Sequence, residues 1–139
     1  TSLCTDNAAN MELAKRMLLT TYPKLLTSSC FAHFIELIVK DILDLPFFKA
    51  PLNKACKVVR KVRASPFLRS KLAEAVPDKK RLTLFCKTRW ETAFACLDTV
   101  LDNEEGLKVL CATQRTDMLS VYSIILSDES FWDSIRMAR

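Results

Sequence analysis

Four short motifs of the chain carry residue types that are able to do chemistry. They are TDNAANM at Thr5–Met11, YP at Tyr22–Pro23, CFAH at Cys30–His33 and TRWET at Thr88–Thr92. A carboxylate such as that of Asp6 suits Mg²⁺, which prefers oxygen ligands, and an indole such as that of Trp90 can stack on a nucleobase. Each motif also has an ordinary structural interpretation, because a lone Asp commonly caps a helix and Trp90 can simply pack on a helix bundle. No single motif decides the function.

The chain has few of the closely spaced Cys and His pairs that form zinc sites. The one close pair is Cys30 and His33, and the chain has a single His and no C-x-x-C pair. Since a structural zinc site needs four ligands, we expect no self-contained zinc finger. The six cysteines are widely spaced and no secretion signal is visible, so we expect free, mostly buried thiols in a reducing, intracellular compartment.

Charge is segregated along the chain. Between Pro46 and Glu91 there are 13 Lys and Arg against three acids, a local charge of +10, whereas the whole chain carries +5. Lys54, Lys57 and Lys61 fall on one face of a predicted helix. A concentrated basic segment favours a polyanion, of which nucleic acid is the commonest. The alternative is a solvated face that keeps the domain soluble.

The composition excludes several classes of protein. A single Gly in 139 residues excludes folds and sites built on Gly-rich loops, namely β-sandwiches, Walker loops and dinucleotide fingerprints. No apolar run approaches the roughly 20 residues of a membrane span, so we expect no membrane partner. Half of the residues are hydrophobic, which is enough for a core. We expect a mainly α protein with a few short strands (α+β).

Short strands and helices have to position the first three motifs. Strands are predicted at Ser2–Thr5 and within Leu25–Phe31. A helix follows each of them, one beginning at Asp6 and ending before Tyr22–Pro23, the other running over Ala32–Leu45. A Pro disfavours the α conformation of the residue before it, and this predicts the end of the first helix. Pro46 is expected to end the second.

Beyond Pro46 the hydrophobic periodicity predicts helices, with a short extended stretch at Arg81–Lys87. The predicted helices are Pro51–Arg63, Pro66–Ala75, a helix from the TRWET motif to about Leu101, Leu107–Ala112, Asp117–Leu126 and Asp128–Arg139. An interruption between two helices is expected near Gly106. Thr88 and Glu91 match the T-x-x-E capping box, and Ser127 is the predicted cap of the last helix.

In their order and spacing the four motifs resemble the hAT family of DNA transposases and its domesticated, BED-zinc-finger-type relatives. That family carries T-D-N-A-x-N-M, then Y-P, then C-x-A-H before an apolar L-x-V-x-D-I helix, then T-R-W-x-S/T. All four occur here between Thr5 and Thr92. The family's usual Asn-Leu after the His is replaced by Ile35-Glu36-Leu37, a departure that decay or domestication would explain.

The resemblance implies an RNase H-like core interrupted by a large all-α insertion. It also implies DNA cleavage by two Mg²⁺ (or Mn²⁺) ions on an Asp-Asp-Glu triad, whose second acid Asp6 matches. The Trp of the R-W pair would stack on a base at the cleaved DNA end. The side chains expected at the DNA are Arg89, Trp90, Lys87, Lys54, Lys57 and Lys61. Those expected to order the active centre are Asn7, Asn10, Cys30 and His33.

The same resemblance divides the chain into two parts. Residues 1–45 would be a partial RNase H-like core of strand–helix–strand–helix, and residues 46–139 the start of the helical insertion, basic over 46–91 and acidic to mixed over 92–139. The first Asp and the final Glu of the triad would lie before Thr1 and beyond Arg139. We therefore expect a fragment that needs no metal alone and cuts no DNA alone. Its full-length parent would be nuclear, would bind DNA and could form homo-oligomers.

Two other interpretations stay open. The chain can belong to a domesticated, non-catalytic DNA-binding or regulatory protein of the same descent, or it can be an unrelated helical interaction domain with chance motif matches. The fold separates the last of these from the others. An RNase H-like core requires Thr1–Asp6 and the region of Cys30 to lie side by side as parallel strands.

Overall fold

The computed structural model describes every residue except Asn7 and Arg139, so the predicted role of Asn7 lies outside the described residues. The described part contains two short strands and eight helices. This confirms the predicted mainly α fold with a few strands. The chain forms two compact units, Thr1–Ile42 and the residues from Leu43 onward. None of the described helices is both long and apolar enough to cross a membrane.

The first unit is built on a parallel strand pair. Its elements are β1 (Ser2–Thr5), α1 (Ala9–Thr21), β2 (Leu26–Ser29) and the helix α2 (Phe31–Asp44), which runs on past the unit's end. Ser2 pairs with Leu26 and Thr5 with Ser29, and the Cys30 N–H extends the ladder by donating to the Thr5 carbonyl at 2.7 Å. Parallel strands need a crossover connection, which α1 supplies. The side-by-side parallel arrangement required of an RNase H-like core is therefore present.

Prolines set helix boundaries, in one case differently from the prediction. Helix α1 ends at Thr21, just before Tyr22–Pro23, as expected. Pro46, however, begins the next helix rather than only ending the previous one: α3 covers Pro46–Ala64, and the predicted start at Pro51 was wrong. A Pro fits the first helical position because its missing N–H needs no partner there.

The second unit is a helical bundle around one core. Its helices are α3 (Pro46–Ala64), α4 (Pro66–Ala75), α5 (Glu91–Asp102), α6 (Glu104–Thr113), α7 (Arg115–Leu126) and α8 (Glu129–Ala138). The spacing of Leu52, Cys56, Val59 and Val62 predicts an apolar face of α3; this face is buried, and the helix packs against α5, α7 and α8. Helical spacing of apolar residues puts them on one stripe, and burying that stripe is what holds the bundle together.

The segment between α4 and α5 is extended but is not the expected strand. Its backbone bonds to side chains of α5 and of the residue that caps the end of α5 instead of to a neighbouring strand. The Thr83 N–H donates to Thr99 Oγ1 at 3.0 Å, and Asn103 Nδ2 donates to the Lys80 carbonyl at 2.8 Å. Both side chains are buried, at 5% and 2% exposure. Such buried polar groups are stable because they are hydrogen-bonded.

Two details of the last helices also differ from the prediction. The cap of α8 is Asp128 rather than Ser127, because Asp128 Oδ1 accepts from the Phe131 N–H at 3.0 Å. The interruption between α5 and α6 lies at Asn103, and Gly106 is inside α6. A Cβ on Gly106 would come within 2.6 Å of Val76 Cγ2 and 2.8 Å of Leu72 Cδ1, so the close approach of α4 requires glycine there.

Candidate nucleic-acid interface

The TRWET motif forms a tight turn that Thr92 holds together. The Arg89 N–H donates to the Cys86 carbonyl at 3.0 Å, closing the turn. Thr92 Oγ1 accepts from the Cys86 N–H at 2.7 Å and donates to the Arg89 carbonyl at 2.6 Å. The turn thus presents Lys87, Arg89 and Trp90 from a braced backbone rather than from a free loop.

The predicted capping box is wrong. No side chain caps the start of α5, where Trp90 already has helical backbone angles. The Thr88 hydroxyl instead lies 3.1 Å from Cys86 Sγ. That contact, together with the nearby Arg89 charge, lowers the pKa of the exposed Cys86 thiol. All six cysteines are free thiols, and only Cys56, Cys96 and Cys111 are buried.

We expect Thr92→Val to loosen this turn while Thr92→Ser preserves it. Valine has the same shape but removes both hydrogen bonds, which we expect to cost about 1–2 kcal/mol in the free energy of unfolding, whereas serine keeps the hydroxyl and should cost about 0.5 kcal/mol or less. Urea unfolding of the full chain measures both. Equal stabilities of the two variants would show that the hydroxyl does not brace the turn.

Trp90 is an exposed aromatic side chain. It is 45% exposed, and Phe94, one helical turn further on, is 51% exposed. The second tryptophan, Trp132, is only 4% exposed and donates its Nε1–H to the Ile125 carbonyl at 3.0 Å. Trp132 therefore packs in the core, whereas part of the Trp90 side chain is accessible to solvent. Phe94 was not among the predicted site residues, although its i+4 spacing from Trp90 could have indicated it.

The outer face of α3 carries basic side chains. Lys57 and Arg60 are exposed and Lys61 is half-buried, and none of the three has an ion-pair partner among the described residues. We call these three residues the basic ridge. Arg60 was missed by the sequence analysis, although it lies at i+3 from Lys57. Lys54 differs from the others because its ammonium group pairs with Asp128 Oδ2 at 2.5 Å, joining α3 to the start of α8.

Lys87 lies near a carboxylate at the end of α2. The pKa of Asp44 is lowered mainly by Lys49, whose Nζ lies 2.8 Å from Asp44 Oδ1, and to a smaller extent by the charge of Lys87. Phe85 packs against the buried core to which Cys56 of α3 contributes. The segment that leads into the turn is therefore anchored on the core of the helical unit.

In the first unit, Asp6 and Cys30 follow directly on the two paired strands. Asp6 is exposed, and its Oδ1 accepts from the Ala8 N–H at 3.3 Å just before α1. His33 lies further along, in the first turn of α2, where its Nδ1 is 3.5 Å from Glu36 Oε2. Asn10 is an exposed residue at the start of α1. Adjacent parallel strands thus bring Asp6 and Cys30 to the same edge of the sheet.

Glu36 interacts with Lys40 and His33 on its own helix, α2. Its Oε1 lies 3.0 Å from Lys40 Nζ, and this hydrogen bond is the main cause that lowers the pKa of Glu36, with His33 contributing less. The carboxylate is thus committed to partners on its own helix. It is not directed at Asp6.

The residues present do not fit a two-metal centre. Among the described residues no three His, Cys, Asp or Glu side chains come together as a metal-binding group. Asp6 is a single carboxylate, whereas two-metal phosphodiester chemistry needs several carboxylates holding two ions about 3.5–4 Å apart. No cleavage step is therefore assigned to these residues.

The fold and the site together define a class of protein. One unit is a parallel strand–helix–strand–helix arrangement, and the other is an all-helical bundle with a basic and aromatic surface. The family model of the ZBED1 RNase-like helical domain matches residues 28–133, and the chain belongs to this family. The relationship is transposase-like and ZBED-related. Searches of curated proteins and of solved structures gave no significant match.

Proposed function

We propose that this chain is part of a transposase-derived protein of hAT descent and that its helical unit binds DNA. The observation that carries the proposal is the exposed Trp90 beside Lys87 and Arg89 on a turn braced by Thr92. In this proposal the basic ridge contacts phosphates and the indole of Trp90 stacks on a base that is unpaired or extruded from the duplex.

Physical chemistry supports each part. A cation without an internal partner gives up no ion pair when it contacts a phosphate. Each such contact also favours binding because counterions condensed on the DNA are released. Base–aromatic stacking contributes about 1–3 kcal/mol per base and needs an accessible ring. Lys54, which is paired with Asp128, contributes to the fold in this proposal and less to the DNA contact.

The proposal is limited to binding for this chain. Strand cleavage in the full-length parent would require Mg²⁺ or Mn²⁺ and two carboxylates besides Asp6, and a domesticated, non-catalytic parent would need neither. We propose DNA binding for both kinds of parent, the catalytic and the domesticated one. A nuclear location and a homo-oligomeric parent are consistent with such a protein and remain proposals. The family match argues against the alternative that the chain is an unrelated helical interaction domain.

Salt-dependent DNA binding by the full chain tests this function. We expect the logarithm of the binding constant for a labelled duplex to fall linearly with the logarithm of the salt concentration, measured by fluorescence anisotropy. Converting the basic ridge to glutamine (Lys57→Gln, Arg60→Gln, Lys61→Gln) should reduce the magnitude of that slope by about 2–3, since each lost phosphate contact changes it by about 1.

A charge-matched control keeps the test specific. Arg16→Gln, Lys24→Gln and Arg115→Gln together remove the same charge from outside the ridge and should leave the slope nearly unchanged, because in this proposal these three side chains contact no phosphate. Absence of binding at low salt would refute the proposed function. Equal slopes for the ridge variant and the control would refute the role of the ridge.

A further inference from the structure

The helical unit has a second basic surface, and none of the residues predicted at the DNA lines it. It is a groove of about 740 Å³ between the end of α3, helix α4 and the extended segment that follows α4. Five basic side chains line it and no acidic one does: Arg63, Arg69, Lys79, Lys80 and Arg81. The volume is within the range of about 300–1,000 Å³ that is typical of ligand pockets.

The two lysines of the groove are neutralised from within the protein, and the three arginines are not. Lys79 Nζ lies 3.1 Å from Asp102 Oδ1, and Lys80 Nζ lies 3.5 Å from Asp98 Oδ2. Arg63, Arg69 and Arg81 have no ion pair with any residue that the structure describes. Three guanidinium groups lining one groove repel each other, so an anion placed there relieves an existing electrostatic cost.

The groove is built on a fixed backbone. Both neighbours of Arg81 are held in place. The Lys80 carbonyl accepts from Asn103 Nδ2 at 2.8 Å, and the Lys80 N–H donates to Asp102 Oδ2 at 3.3 Å. Leu82 is buried. These bonds order the segment before any ligand arrives. A preordered cation loses less conformational entropy on binding than one on a mobile loop.

The chemistry of the lining selects phosphate groups over nucleobases. Guanidinium groups form bidentate, charge-assisted hydrogen bonds with phosphate oxygens. Apart from the amide of Asn103, the remaining lining is aliphatic or hydroxylic, and no Phe, Tyr or Trp is among the described residues that line the groove. A base would therefore find no ring to stack on, in contrast to the surface at Trp90.

We infer that this arginine groove binds the sugar–phosphate backbone of nucleic acid at a site separate from Trp90 and the basic ridge. The inference rests on the proposed function, because it supposes that the helical unit meets DNA. It adds a sequence-independent phosphate site formed by a different set of residues, since Trp90 and the basic ridge are not among the residues that line the groove.

The test compares a groove variant of the full chain with a charge-matched control. The groove variant carries Arg63→Gln, Arg69→Gln and Arg81→Gln, and the control carries Arg16→Gln, Lys24→Gln and Arg115→Gln. Two probes are used: a labelled duplex in anisotropy titrations, and inorganic pyrophosphate in thermal unfolding. The three single substitutions are measured in the same two assays, so that the comparison is still possible if the triple variant does not fold.

We expect the groove variant to bind duplex on the order of 100-fold more weakly at 0.1 M salt, with a salt slope smaller by about 2–3. Pyrophosphate should raise the Tm of the unmodified chain and of the control, because a ligand that binds only the folded state stabilises it. It should not raise the Tm of the groove variant.

The outcomes distinguish the two proposals. If the chain binds duplex and the groove variant binds as the control does, the groove inference is overturned and the proposed function stands. If the unmodified chain binds no duplex at low salt, the proposed function fails. A pyrophosphate shift that survives in that case would overturn the nucleic-acid assignment and leave a small-anion site.

Discussion

Asn103→Ala will lower the free energy of unfolding by about 2–4 kcal/mol, one of the largest effects expected of a polar residue in this chain. Asn103 is 2% exposed, and its Nδ2 donates to the carbonyls of both Lys80 and Thr99 at 2.8 Å. Alanine removes both donors and leaves a small cavity, and a carbonyl without a partner costs about 1–3 kcal/mol. Urea unfolding followed by circular dichroism measures the change.

Hydrogen exchange adds a local measurement to this prediction. The amides of Lys80 and Thr83 donate to Asp102 and Thr99, and we expect them to exchange faster in Asn103→Ala because the segment is released. Asn53→Ala is the matched control, since Asn53 is exposed on α3 and should change stability by about 0.5 kcal/mol or less. An Asn103→Ala chain as stable as the control would contradict the claim that α5 holds the segment.

Trp90→Ala will abolish the preference for DNA with an unpaired or extruded base over plain duplex. Loss of one stacked base corresponds to about 1–3 kcal/mol, or roughly 5- to 150-fold in affinity for the unpaired substrate. Binding to plain duplex should fall far less, because phosphate contacts supply that affinity. Anisotropy titrations with the two substrates at one salt concentration measure the difference.

The two tryptophans make the same prediction visible by fluorescence. Trp90 is exposed and Trp132 is buried against Ile125, so a base stacked on the protein should quench Trp90 alone. Trp90→Phe keeps a ring, and we expect it to retain much of the preference while losing the quenching. Equal loss of affinity for both substrates in Trp90→Ala would show that the indole acts on the fold and not on a base.

Much of the local structure follows from short-range rules that the sequence displays. Tyr22–Pro23 ends α1 because the residue before a proline avoids the α conformation, and the spacing of Leu52, Cys56, Val59 and Val62 predicts the buried face of α3. The parallel pairing of β1 with β2 was accessible only through the resemblance, because strand direction depends on partners that are distant in sequence.

Two of the wrong predictions have a common cause. Thr88 and Glu91 satisfy the pattern of a capping box, yet Thr92 takes the hydrogen bonds that brace the turn. The alternation in Arg81–Lys87 matches a strand, yet Thr99 and Asn103 supply its backbone partners. In both cases a local pattern was correct about the backbone being ordered and wrong about which group ordered it, because several donors and acceptors compete and only proximity selects among them.

The sequence by itself determined the helical class, the apolar faces, the basic middle of the chain and the motif order that indicates transposase descent, because composition and spacing are properties of the chain alone. Only the tertiary structure decided which charges are already paired. Lys54 meets Asp128, 74 residues away, whereas Lys57, Arg63 and Arg81 meet no acid among the described residues. Ion pairing falls off within a few ångströms, so which cations remain for a polyanion depends on packing that no stretch of sequence encodes locally.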